Sequence, residues 1–210
     1  STPDLRTASK ALFTLASVDP EPDASGVGYS EYNINTTGWI RYFTPFIMPT
    51  TFSDGDIIIS YRSVDKAGNV EEPKLITITL DNSCPQALLL SPSSELTGID
   101  QNVNGMVSVI GTSTDLHFDY YRLEYGVGEV PTTWQIIKTS TNQVQENEIG
   151  KWNTTGLQEG TYTLRLTAVD KVENINIATA KEVVGTPKFL LAIHDKLSHP
   201  DKIVADKDGY

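Results

Sequence analysis

At 210 residues, with 39% hydrophobic and 20% charged content, the chain has the length for one large or two ordinary domains and the balance of a globular rather than a disordered protein. Its formal net charge of −11 denies it the basic stripe that displaces counterions from phosphates, which argues against nucleic acid as a partner. The single cysteine, Cys84, excludes an internal disulfide framework and a multi-cysteine metal site, and no apolar run approaches the roughly 20 residues of a membrane-spanning helix. The opening "STPDLRTASK" lacks the apolar core of a signal peptide, so a targeting segment is expected outside this chain.

In chain order, the strand-like runs are "ALFTLASV" from Ala11, "GYSEYNI" from Gly28, "GDIIISYRSVD" from Gly55 and "KLITITL" from Lys74. They continue with "QALLLS" from Gln86, "MVSVIGT" from Met106, "YYRLEYG" from Tyr120, "WQIIKTS" from Trp134, "GTYTLRLTAVD" from Gly160 and "TAKEVV" from Thr179. Period two is clearest where Ile57, Ile59 and Tyr61 share one face, and again where Tyr162, Leu164, Leu166 and Ala168 do. Turn-rich pieces such as "DPEPDASG", "PTTFSDGD" and "NTTGLQEG" separate the runs, and no amphipathic helix of three turns is present.

One polar turn is written twice, as "SVDKAGNVEE" from Ser63 and "AVDKVENINI" from Ala168. The same interval, about a hundred residues, separates Gly55 from Gly160, Asp65 from Asp170 and Asn69 from Asn174, which is long for a solenoid unit and right for a β-sandwich domain. The prediction is therefore all-β, with two tandem sandwiches over residues 1–82 and 83–185 and a tail over 186–210. The boundary falls in "LDNSCPQ", where a strand ends and Pro85 opens a new extended run; so short a linker limits relative motion. Glu173 stands where the first copy has Gly68, which predicts a different turn geometry in the second copy.

The run "DASGVGYSEYNIN", followed by Trp39, Tyr42, "PF" and "ISYRSVDKAGNVE", resembles the bacterial Ig-like repeats of the OmpL47 type over roughly Ala11 to Leu80. The later "GMVSVIGTSTDLHFDYYRLEYGVG" and "GKWNTTGLQEGTYTLRLTAVD" resemble a second Ig-like or fibronectin-III-like module. The tail "PKFLLAIHDKLSHPDKIVADKDGY" resembles the opening of an NHL-type β-propeller repeat. These resemblances imply Ig-like sandwiches, the first lacking its first strand, cut from a larger secreted or cell-surface prokaryotic protein. The expected partners are other domains of that protein, and sheet edges offer self-association into a layer or fibre.

In an Ig-like sandwich the B–C and F–G loops share one end, so Asp19, Glu21 and Asp23 are expected near Asp65 and Glu71, and Asp115 and Asp119 near Asp170. Carboxylates from two loops are calcium donors, which makes Asp19, Asp23, Asp65, Asp115, Asp119 and Asp170 the candidate metal ligands. The competing reading is that each strand-end Asp accepts backbone N–H bonds and closes its turn without metal. "DKDG" at Asp206 lacks the preceding acid and the following loop of an EF-hand. His117, His194 and His199 show no zinc-protease spacing and read as surface or satisfied side chains. No nucleophile elbow or phosphate-cradling loop is present, so no catalytic residue or cofactor beyond calcium is expected.

Trp39, Trp134 and Trp152 are read as core before sugar platform, and Tyr162 as a tyrosine corner. The functional expectation is a non-catalytic spacer or interaction segment. The alternative is an accessory binding module, for carbohydrate or adhesion, of a secreted enzyme; exposed Trp39 or Trp134 would favour it.

Overall fold

The computed structural model describes residues 5–19, 25–92 and 102–186, and these residues form twelve strands and no helix. Five strands make the sheet of the first unit: β1 (Arg6–Thr7), β2 (Val27–Ile34), β3 (Ile40–Arg41), β4 (Gly55–Asp65) and β5 (Lys74–Leu80), in the order β1-β5-β4-β2-β3. The alternation in β4 does what period two requires: Ile57 and Ile59 are buried, and Ile58 between them is exposed. They join Ile34, Met48, Ile78 and Leu80 in one core, covered by Phe13, Phe46 and Phe52.

That cover differs from expectation. Residues 11–18 were expected as a strand, yet only Phe13 pairs, in a single antiparallel bridge to Phe46. The partner segment explains it: Pro45 and Pro49 flank Phe46 and have no N–H to continue a ladder. The second layer is held by ring contacts instead, with Phe46 stacked on Tyr32 at 3.9 Å and near Phe13 at 5.5 Å. A short strand that the sequence did not announce, β1, runs parallel to β5 through Arg6↔Thr79 and Thr7↔Leu80.

The second unit is a two-sheet sandwich. One sheet is β10-β7-β6, from β6 (Gln86–Ser91), β7 (Met106–Thr114) and β10 (Val144–Asn153); the other is β12-β11-β8-β9, from β8 (Phe118–Val127), β9 (Gln135–Ser140), β11 (Gly160–Asp170) and β12 (Ile175–Val184). Trp152, Tyr121, Leu123, Leu164 and Leu166 are fully buried between the sheets. Tyr162 donates its hydroxyl to the Gln158 carbonyl at 3.1 Å, as a tyrosine corner does.

Strands β5, β4, β2 and β3 of the first sheet stand in the same order as β12, β11, β8 and β9 of the second. Even the parallel contact recurs, since Val103 bridges Val184 as Thr7 pairs with Leu80. The tail likened to a propeller repeat lies, from residue 187 on, outside the described residues.

Candidate functional site at the repeated corner and the linker

The twice-written turn folds the same way twice. In the first copy the Asp65 N–H donates to the Asn69 carbonyl, and Asp65 accepts from the Asn69 N–H at 2.8 Å and from its side-chain amide at 2.7 Å. In the second, Asp170 N–H donates to the Asn174 carbonyl, and Asp170 accepts from the Asn174 N–H and side-chain amide, both at 2.8 Å. The carboxylate closes the loop by capping its own backbone.

The expected difference in geometry does not arise. Gly68 has φ of +93°, and Glu173 takes φ of +66° in the matching position. A left-handed non-glycine residue costs about 1–2 kcal/mol, part of which glycine would give back as unfolded-chain entropy. Glu173→Gly is therefore expected to stabilise the protein by about 0.5–1 kcal/mol in urea denaturation. An unchanged or lower midpoint would show that Glu173 makes a compensating contact.

What differs is the surroundings. The Asn69 amide holds the exposed Asp65 carboxyl below the usual carboxylate range. Asp170 is only 1% exposed, and its corner grips the segment that joins the units. The Asn174 amide donates to the carbonyls of Asp81 and Ser83 at 3.1 and 3.2 Å, and the Asn176 amide to that of Pro85 at 2.9 Å. The first unit holds the same segment from its other side. Asp54 accepts from the Asn82 N–H at 2.8 Å and the Ser83 hydroxyl at 2.6 Å, the Ser83 hydroxyl being the main reason its carboxyl is held low. Asp81 N–H reaches the Thr7 carbonyl at 2.9 Å, and Asn82 Oδ1 accepts from Ser9 N–H at 2.8 Å.

The loop between β7 and β8 closes the third side. His117 Nδ1 lies 2.6 Å from Asp81 Oδ2, Asp115 Oδ1 accepts the His117 N–H at 2.6 Å, and Lys171 N–H donates to the His117 carbonyl at 2.9 Å. Every residue from Asp81 to Ser83 is thus bonded to at least one unit, and Asp81 and Ser83 to both.

The other acidic candidates fall in separate places. Asp19 and Asp65 line one hollow of about 330 Å³ with Ser63 and Glu71, as two loops meeting at one end require. Each carboxylate there is already occupied: Asp19 by the Gly26 N–H, Asp65 by Asn69, and Glu71 by Ser63 N–H and Lys74. Asp115 sits with Asp81 and His117, Asp119 is exposed on β8, and Asp170 is buried in its corner. Glu21 and Asp23 lie outside the described residues.

The tryptophans divide. Trp152 is core, but Trp39, just before β3, is exposed and Trp134, just before β9, is half-buried. Arg62 stacks over Trp39 and Arg165 over Trp134, each 3.9 Å from the ring centroid. Each arginine also pairs with a glutamate across its sheet, Arg62 with Glu31 at 2.5 Å and Arg165 with Glu124 at 2.7 Å. This Glu–Arg–Trp ladder is a second duplicated feature, each arginine facing its carboxylate across a strand pair.

No family model matches the chain, and no curated protein does. Solved structures similar to it include the fibronectin(III)-like modules of CbhA from Clostridium thermocellum, at 16% identity and a TM-score of 0.47 over 87% of this chain and 91% of that one. Another is a tetra-tandem repeat in the extending region of a large adhesion protein, at 14% identity and a TM-score of 0.36 over 80% of this chain; this chain spans about half of it, 48%. In the second unit a three-stranded sheet faces a four-stranded one, the architecture of a seven-stranded β-sandwich. Asp81, His117, Asn174, Asn176 and Asp54 are the joint residues the sequence did not single out as a group. They come from four stretches of the chain, around residues 54, 81, 117 and 174, and meet only in the fold.

Proposed function

We propose that the chain is a non-catalytic spacer segment of a secreted or cell-surface protein, holding whatever flanks it at a fixed distance and angle. The observation that carries this reading is the linker gripped from both sides, because a joint with its backbone groups paired cannot swing as a free tether does. The acidic exterior keeps such an array soluble. Small-angle scattering of the full chain should fit one inter-unit arrangement, while Asn174→Ala with Asp54→Ala should broaden it and expose Asn82–Ser83 to protease. A wild-type chain that needs an ensemble of angles would overturn the reading.

A second reading, an accessory binding module of a secreted enzyme, is favoured by one surface. Ile40 and Phe43 are 44% and 78% exposed beside Trp39, and Arg41 packs over Tyr29. Such a ridge next to the short edge strand β3 suits a flat polysaccharide or an extended peptide.

A further inference from the structure

The geometry points to a site for a first-row divalent cation, zinc being the best-fitting one, formed by Asp81, Asp115 and His117 where the linker meets the second sandwich. One ligand atom from each of the three lies within 4.8 Å of the others. An imidazole nitrogen distinguishes this group from an ordinary acidic patch. Calcium and magnesium take oxygen donors, whereas two carboxylates with one imidazole suit zinc and its neighbours in the first row.

The donors are held in place before any cation arrives. Asp81 is 4% exposed and fixed through its N–H to Thr7; His117 is fixed through its carbonyl to Lys171 N–H, and Asp115 through its N–H to Gln143. The three come from two separate stretches of chain, so a cation would tie the linker to the β7–β8 loop. Asp115 Oδ2 has no hydrogen-bond partner among the described residues.

The change on binding is small and balanced. His117 Nδ1 and Asp81 Oδ2 are already in hydrogen-bond contact at 2.6 Å. Zinc bonds of about 2.0–2.2 Å set tetrahedral donors somewhat over 3 Å apart, so the two side chains separate by less than about 1 Å. A neutral imidazole carries one N–H, so metal at Nδ1 requires the tautomer with that proton on Nε2; the proton moves from Nδ1 to Nε2 through solvent and the ring's charge is unchanged. Water completes the coordination, because three protein ligands leave a position open.

This inference rests on the reading of the linker as a fixed joint and extends it, making the joint's strength depend on a cation. The test is calorimetric titration of the chelator-treated full chain with zinc chloride, with calcium and magnesium chlorides as separate arms. One zinc per chain is expected at the joint, with a melting temperature that rises with zinc and a shift of the His117 ring nitrogens in NMR. His117→Ala and, independently, Asp115→Asn should weaken it by more than the roughly 10–100-fold that losing an outer-shell partner costs. Metal-free melting curves of both variants establish that they are folded. No zinc binding, zinc binding that survives both substitutions, or a preference for calcium would each overturn the site. Scattering of the metal-free chain separates the two ideas: a swinging joint defeats the spacer, while a fixed joint without zinc binding defeats only the cation.

Discussion

Asp170→Ala is expected to destabilise the protein by about 3–4 kcal/mol, and Asp65→Ala by far less, although the two residues hold the same turn. Asp170 accepts from the N–H groups of Val172 and Asn174 and from the Asn174 amide, all at 2.8–2.9 Å. Hydrogen bonds to a charged group contribute about 1.5–3 kcal/mol each, and losing a buried acceptor leaves its donors unpaired. At 1% exposure little water can replace it. The loss also spreads, because the Asn174 amide that Asp170 orients is the one that holds Asp81 and Ser83. Asp65 is open to solvent, and water takes over its donors when the carboxylate is removed. Urea denaturation of both variants, with amide exchange at Val172 and Asn174, provides the check. Equal losses at the two corners would show that burial against the linker adds nothing.

The second large effect is a pH dependence that runs opposite to ordinary acid denaturation. Glu182 on β12 pairs in register with Tyr162 and faces the sandwich core; it is 2% exposed, and its Oε1 has no hydrogen-bond partner among the described residues. Burial without a partner pushes its carboxyl from 4.5 up to about 7. Between those values the folded chain binds more protons than the unfolded one, so this group's contribution to stability is full below pH 4.5 and is lost as pH rises to about 7. The shift sets an upper bound of about 3 kcal/mol at about 1.36 per pH unit, and about 2 kcal/mol after solvent screening is allowed for. Glu182→Gln should remove this slope and leave the variant more stable than the parent at pH 8 by roughly 1–2 kcal/mol. Denaturation midpoints of both proteins from pH 4 to 8 test it; parallel curves would place the titration elsewhere.

Much of the fold was legible because strand burial writes itself as period two. In β4 and β11 the side chains that alternate in sequence alternate between core and exterior, and the spacing of the glycine, aspartate and asparagine landmarks disclosed the duplication. β10 was missed for a physical reason. It is an edge strand, paired only with β7, with two irregularities in its register, and most of "VQENEIGKWN" is exposed. Its polar residues therefore carry no alternation. β1 was missed because two residues give no period at all. The corner's chemistry was readable too, since an aspartate four residues before an asparagine is a self-capping loop.

The joint was not readable, because its partners are far apart in sequence. Nothing in the local pattern at Asp81 announces His117, nor does Asn174 announce Ser83. The calcium expectation grouped acids by loop; in the fold Asp115 joins an imidazole and a linker carboxylate, and Asp170 is absorbed by its own turn. Glu173 shows the converse limit. A residue type that disfavours a backbone shape still adopts it when the surrounding hydrogen bonds over-determine the turn.

The linker is fixed by amides, hydroxyls and carboxylates rather than by an apolar seam, and this sets how its stiffness responds to temperature. Apolar burial weakens on cooling and carries the large heat-capacity change of unfolding, whereas polar groups contribute with the opposite sign. The joint should therefore open with little heat-capacity change of its own. An array built on it would keep its shape in the cold, where a greasy hinge would loosen.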